Sequence, residues 1–170
     1  MRWFLDQSPI EKFIEELEFF KEFSDAERKK LVNASGIFEK FNVGEVIVSE
    51  GEFLLSNAAY LILTGTVVIQ KKSKVDVKIN HISLQEPGII TIAELKAGSI
   101  FGEISLISHR ARNSSAIVSS NQVVVMKITN ESIGTFDLAI QKKFQSQLII
   151  VLVERLENMN EKFIKLKSRK

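Results

Sequence analysis

The run GSIFGEISLISHRARNSSA, residues 98–116, decides how the rest of the chain is read. It opens on a glycine turn and the apolar pair Ile100 and Phe101. It then passes through Gly102 and Glu103 into a short apolar turn, Ile104, Ser105, Leu106 and Ile107, and delivers Arg112, Asn113, Ser114 and Ser115. A glycine at the start of a short helix lets backbone N–H groups approach an anion at the positive end of that helix. An arginine adds a planar fork of donors that meets a phosphate at two points, which a lysine cannot do. Glu103 does not suit a phosphate. An ionised carboxylate only accepts hydrogen bonds, so its natural partner is a hydroxyl such as the 2′-OH of a ribose. A glycine, a carboxylate one residue on and an arginine nine beyond that describe a ribose and a phosphate held together.

At these residues the chain resembles the cyclic-nucleotide-binding domain family, whose phosphate-binding cassette reads F-G-E-(L/I)-(A/S)-L, a short spacer, then R-(A/T/S)-A-(T/S). The matching residues are Phe101-Gly102-Glu103-Ile104-Ser105-Leu106 and Arg112-Asn113-Ser114-Ser115. The resemblance implies that Glu103 accepts from the ribose 2′-OH and that Arg112 clamps the cyclic phosphate. Asn113 departs from the pattern, standing where Ala, Ser or Thr is usual, at a place where guanine-preferring members often carry Thr. A full pattern at the family's spacing is far more specific than the tripeptide Phe-Gly-Glu alone, which a surface turn would also show.

Composition bounds the rest. A chain of 170 residues with 45% hydrophobic content can bury one good core, so one domain with terminal helices is expected. The formal charge of +2 gives no strong field for a polyanion, even with a pI of about 8.8. The chain has no cysteine, which excludes disulfides and thiol chemistry and agrees with a reducing, cytoplasmic setting. The opening MRWFLDQSPIEKF carries Asp6 and Pro9 where a signal peptide would be apolar, and the longest apolar run, Leu148 to Val153, is too short to span a membrane.

Ser8-Pro9-Ile10-Glu11 reads as a capping box with proline at the first helical position, followed by Ile10, Phe13, Ile14, Leu17 and Phe20 at helical spacing. A second box, Ser24 to Glu27, opens a helix through Leu31 and Val32 that Gly36 is placed to close. Phe19, Phe20 and Phe23 lie between the two, suited to packing helices on a barrel. The entry F-x-x-(F/L)-S-x-x-E is also a family resemblance. From Phe38 the period falls to two, with glycine turns at Gly44, Gly51 and Gly65, which predicts an antiparallel barrel. Between Gly51 and Tyr60 the run FLLSNAA replaces the family's shorter Gly-Asp-type turn, a stretch that in the family often leans over the ribose.

Residues 73–88 exceed a tight hairpin. Val75, Val77 and Ile79 alternate with polar residues, and Pro87-Gly88 reads as a turn, so an extended hairpin is the simpler reading than a partner-binding arm. Residues 116–128 supply the last strands, with Val123 to Val125 buried on both faces. Thr129-Asn130-Glu131 starts the final helical section. The expected division is residues 1–37 as N-terminal helices, 38–128 as the binding core and 129–170 as C-terminal helices, all one domain.

From Gln141 the helical pattern is long. Ile149, Leu152, Leu156, Met159, Phe163 and Leu166 recur at intervals of 3, 4, 3, 4 and 3, an a/d seam that implies a partner helix and hence a homodimer. Leu148, Ile150, Val151 and Val153 make the first half apolar nearly all round, so it is expected to meet the barrel as well. The segment from Glu154 resembles the dimerisation helix of bacterial catabolite-activator-type regulators, through Arg155-Leu156-Glu157 and Asn160-Glu161-Lys162. That resemblance implies that the positions of Met159 and Asn160 reach the base. Asn160 has a donor and an acceptor that suit an adenine edge; Met159 can only pack on a purine face. No residues follow Lys170 in this sequence to make a helix-turn-helix, so no DNA-binding domain is expected. Lys162, Lys165, Lys167, Arg169 and Lys170 read as a solvated helix end.

His81 and His109 are the only histidines and neither has neighbours at metal-ligand or triad spacing, so no enzyme, metal or cofactor is expected. The fold expected is mainly β with flanking α, a double-stranded, jelly-roll-like β-roll with a long C-terminal dimerisation helix. The function expected is a regulatory sensor for cyclic AMP (cAMP) that signals through that helix. The alternatives are a ligand-free dimeric interaction module of the same fold, or a cyclic GMP-binding regulatory subunit of a separate effector protein. Retention of both Glu103 and Arg112 speaks against the ligand-free module, because an unpaired buried charge costs several kcal/mol.

Overall fold

The computed structural model describes residues 7–34, 36–53, 58–79 and 82–168. Helix α1 (Gln7–Glu16) is followed by a single 3-10 turn (Glu18–Phe20) and α2 (Asp25–Asn33). The strands are β1 (Phe38–Asn42), β2 (Val46–Val48), β3 (Ala58–Thr64), β4 (Thr66–Ile79), β5 (Ile82–Lys96) and β6 (Ile100–Phe101). Helix α3 (Glu103–Ser108) interrupts them before β7 (Ser115–Val118) and β8 (Gln122–Thr129), and the chain continues with α4 (Asn130–Gly134) and α5 (Leu138–Lys167). The strands form two antiparallel four-stranded sheets, ordered β1-β8-β3-β6 and β2-β7-β4-β5. The antiparallel pairing is what the period-two pattern predicts, and the jelly-roll-like arrangement is what the family resemblance implies.

The two central strands of the first sheet show why it sits where it does. Side chains alternate along a strand. In β3, Ala59, Leu61 and Leu63 therefore join a core shared with the helices, while Ala58, Tyr60 and Ile62 join a second core inside the roll. In β8, Val124, Met126 and Ile128 take the helix side and Val123 and Val125 the inner side. Both strands are apolar on both faces because both faces are covered. Gly65 turns β3 into β4 at φ +88, and a Cβ there would lie 2.3 Å from the Gln122 carbonyl oxygen. Only glycine satisfies both the backbone and the space.

The helices are joined by rings. Phe19, Phe20 and Phe23 are buried, and Phe19 and Phe23 pack with Phe144 of α5 at centroid separations of 5.7 Å and 5.4 Å. Such pairs add about 0.5–1.5 kcal/mol each beyond the area they bury. Ion pairs support the same joint. Lys143 of α5 meets Glu27 of α2 at 2.6 Å and Lys30 meets Asp137 at 2.7 Å. The hydrogen bond from Lys143 holds the Glu27 carboxyl below its ordinary range. Ser24 caps α2 with the reciprocal capping box read from the sequence, Thr129 does the same for α4 with Ser132, and Asp137 caps α5.

Four local expectations are corrected. Helix α1 begins at Gln7, so Ser8 lies inside it and Pro9 falls within the first turn, where a missing N–H costs little. Helix α2 ends at Asn33 with Ala34 as its C-cap; Gly36, at φ +79, turns the chain toward β1 and does not close the helix. The last helix starts at Leu138, before Gln141. Pro87 and Gly88 are not a turn. They lie within β5, opposite Lys74 and Ser73, and the hairpin runs on until Ile79 faces Ile82. β5 is an edge strand, where a proline's lack of a donor is tolerated. The extended hairpin is thus a plain continuation of β4 and β5. His81, most of the FLLSNAA run and the last two basic residues lie outside the described residues.

Candidate ligand-binding site

The site is built on the short strand β6. Phe101 pairs with Tyr60 across the sheet and their rings stack at 5.2 Å with planes 16° apart. Both are buried. Gly102 follows at φ +78, ending the strand and opening α3, and its carbonyl oxygen accepts a hydrogen bond from Arg112 Nη1 at 3.0 Å. A Cβ on Gly102 would stand 2.6 Å from Arg112 Nη1 and 2.8 Å from the Ala58 carbonyl oxygen. The glycine is therefore required twice, by its dihedral and by the approach of the guanidinium.

Helix α3 turns Glu103, Ser105 and Leu106 inward and leaves Ile104 and Ile107 exposed. His109, exposed and at φ +54, closes it by donating its N–H to the Ser105 carbonyl at 3.0 Å. The chain then returns to the β2–β3 turn, where two backbone bonds fix Arg112 from both sides. Its N–H donates to the Glu52 carbonyl at 2.9 Å, and the Gly51 N–H donates to the Arg112 carbonyl at 2.8 Å. Next to it, Ser115 Oγ accepts from the Glu50 N–H at 2.9 Å. Asn113 is exposed and Ser114 half-buried, with Ser114 Oγ donating to Asn113 Oδ1 at 3.2 Å.

Arg112 is 4% exposed, yet among the described residues its Nε and Nη2 have no hydrogen-bond partner. The guanidinium carbon lies 6.0 Å from the Tyr60 ring centre. Burial pushes the Arg112 pKa down, while Tyr60 and the carboxylates of Glu52 and Glu103 oppose that shift. Two unsatisfied buried donors cost about 1–3 kcal/mol each, more where the group is charged. A group this expensive to leave unpaired suits a fixed anion that accepts at two points.

Glu103 is 2% exposed, and its carboxylate accepts from Arg155 Nη1, an arginine of α5. The same guanidinium donates from Nη2 to the carbonyl of Ile100. Helix α5 is thus attached to the cassette by a forked contact on its two flanks. The sequence reading quoted Arg155 within a resemblance and gave it no role. The signal was present: Ile140, Phe144 and Leu148 form the buried row of α5, and Arg155 extends that face by two turns. Asn160 is exposed on α5, and no hydrogen bond among the described residues joins its side chain to the cassette. The seam residues Leu156, Met159 and Phe163 are also exposed, at 59%, 67% and 58%.

A separate groove of about 410 Å³ runs between α3, α4 and α5, lined by residues such as Ile107, Ile133, Gln141 and Leu148. It includes neither Arg112 nor Glu103. No cluster of metal-binding side chains and no helix long and apolar enough to cross a membrane is found among the described residues.

The family profile for the cyclic nucleotide-binding domain matches residues 38–136, more than half of the chain. Among solved structures, a cyclic nucleotide-binding domain from Methylobacillus flagellatus superposes with a TM-score of 0.68 at 21% identity, over 94% of this chain and 83% of that one. The Thermus thermophilus catabolite activator protein gives 0.62 at 20% identity, over 88% and 62%. The regulatory domain of Toxoplasma gondii PKA, solved with cAMP, gives 0.57 at 22% identity, over 83% and 49%. The chain therefore spans about half of that kinase regulatory domain and under two thirds of the activator.

Proposed function

Because this chain belongs to the cyclic nucleotide-binding domain family, we propose that it is a sensor that binds cAMP at Arg112 and Glu103 and passes the signal through α5. Membership and fold do not decide this by themselves. A Trypanosoma brucei kinase regulatory subunit described as cAMP-independent superposes with a TM-score of 0.60. The observation that carries the reading is the pair of buried, unpartnered donors on Arg112. They fit the two exocyclic oxygens of a cyclic phosphate, which is a bidentate acceptor of the opposite charge. The site has the parts of a binding pocket, so in this reading the chain acts by changing shape on an effector. Calorimetric titration with cyclic AMP and cyclic GMP tests the ligand.

The ribose hydroxyl and Arg155 share one carboxylate in this account. Arg155 occupies Glu103 Oε1, and a carboxylate offers further lone-pair positions for the 2′-OH. Ligand therefore acts on the contact that fixes α5, which gives it the different interaction in two helix positions that a switch requires. Glu103→Gln is expected to weaken cyclic AMP by about 1–2 kcal/mol, the difference between a charged and a neutral hydrogen bond. Since the change also loosens Arg155, a 2′-deoxy nucleotide on the unmodified chain separates the two effects. If the deoxy compound binds as well as its parent, Glu103 serves only the helix.

We further propose a homodimer through the α5 seam. A helix advances about 1.5 Å and 100° per residue, so Asn160 lies about 7.5 Å beyond Arg155 and about 140° round from it. It is turned away from the face that touches its own cassette and toward the seam, a placement suited to reading the base held by a partner. Leu156→Glu with Phe163→Glu puts like charges in the seam and is expected to yield a monomer that also binds cyclic AMP more weakly. Sedimentation and titration of one sample decide: a persistent dimer rejects the seam, and a monomer of full affinity rejects Asn160 as a contact across it.

A further inference from the structure

The β4–β5 hairpin leaves the roll as a bare two-stranded ribbon. β7 pairs with β4 only from Val67 to Gln70, so from Lys71 onward β5 is the only strand paired with β4, although the Lys72 N–H still donates to the Glu50 carboxylate at 2.7 Å. A two-stranded ribbon is marginal in water unless something covers it. Its two edges differ. The β4 edge carries exposed Lys71 and Lys72, the kind of residue that keeps an edge from pairing. Opposite them on β5 stand Ile90 and Ile89, and Ile92 follows as the extra residue of a bulge. These isoleucines are 44%, 68% and 56% exposed.

The pattern selects the occupant. Lys72 faces Ile89 on one surface of the ribbon and Lys71 faces Ile90 on the other, so neither surface is apolar enough to lie flat on a membrane. The unguarded feature is the β5 edge itself. Its run Gly88–Ala93, GIITIA, is uncharged and rich in β-branched residues, so two copies running antiparallel set no like charges opposite one another. The lysines would be three strand spacings apart, about 14 Å, beyond the screening length of about 8 Å at physiological salt.

We propose that β5 is an interaction edge that pairs antiparallel with β5 of a second copy of this chain, making a four-stranded ribbon. This surface is distinct from the α5 seam. A protein with two different two-fold contacts assembles past the dimer, either into a closed tetramer or into an open filament.

The test uses the full chain carrying Leu156→Glu and Phe163→Glu, in which the β5 edge remains available when the seam is broken. Sedimentation is expected to show a species of twice the 19.2 kDa chain mass that grows with concentration. Addition of Thr91→Lys and Ile92→Lys is expected to abolish it, with an unchanged thermal midpoint of the monomer because both residues are exposed, lie outside the two cores and face no lysine of β4. Amide exchange across residues 88–96 should slow as the dimer fills and should not slow in the lysine variant. A single chain at every concentration before the lysines are introduced overturns the proposal, as does a dimer that survives them. Binding to anionic lipid vesicles without self-association also overturns it and assigns the patch to a membrane.

Discussion

Arg112→Ala is expected to weaken cyclic AMP binding by about 2–4 kcal/mol, the scale for truncating one partner of a buried charged pair. The unliganded protein should respond differently. Arg112 is buried with two donors unpartnered, so its charge is a burden on the free fold. Replacing a buried ionic group with an apolar one of similar volume is often neutral or stabilising. Arg112→Met, which keeps most of the stem's packing, should therefore hold or raise the thermal midpoint while losing affinity as severely as the alanine variant. A residue needed only for packing would show the reverse, with stability lost and affinity kept. Thermal unfolding without nucleotide, next to a titration with it, separates the two.

Gly102→Ala is expected to harm both stability and binding. The residue sits at φ +78, and holding a non-glycine residue there costs about 1–3 kcal/mol. Gly44 provides a control, with φ +81 and open space where a Cβ would go. Gly44→Ala carries the strain alone. At Gly102 the new methyl meets Arg112 Nη1 and the Ala58 carbonyl, so the guanidinium must leave the position from which it donates to the Gly102 carbonyl. The glycine variant should thus lose affinity on a scale comparable to Arg112→Ala, with Gly44→Ala unaffected in binding. Equal affinity in the two glycine variants would show that the guanidinium is not held by this contact.

The parts of this molecule that were legible in the sequence are those encoded locally. Gly102, Glu103 and Arg112 fall within eleven consecutive residues, and the capping box at Ser24 takes four. The alternation in β3 and β8 declares two covered faces without reference to anything distant. What escaped was either non-local or ambiguous. The Arg155 contact with Glu103 joins residues 52 apart in the chain; the helix face that carries Arg155 points to a buried partner, but nothing near it names Glu103 as that partner. Pro87-Gly88 has the composition of a turn, but an edge strand tolerates both residues, and the two strands stay paired out to Ile79 and Ile82. Gly36 has the left-handed backbone expected of a helix stop, yet α2 had already ended at Asn33. The a/d spacing of α5 picked out the row that is exposed at Leu156, Met159 and Phe163, but the buried row at Ile140, Phe144 and Leu148 was not read from it, and Ile150 and Val153, expected to meet the barrel, are about half exposed.

The central claim is that Arg112 and Glu103 form a cyclic nucleotide site, and one calorimetric titration of the unmodified chain with cyclic AMP and then cyclic GMP tests it most directly. The account predicts saturable binding at one nucleotide per chain, tighter for cyclic AMP. Absence of heat with either nucleotide, from a sample shown to be folded, would contradict it and leave the fold as an interaction module without a ligand.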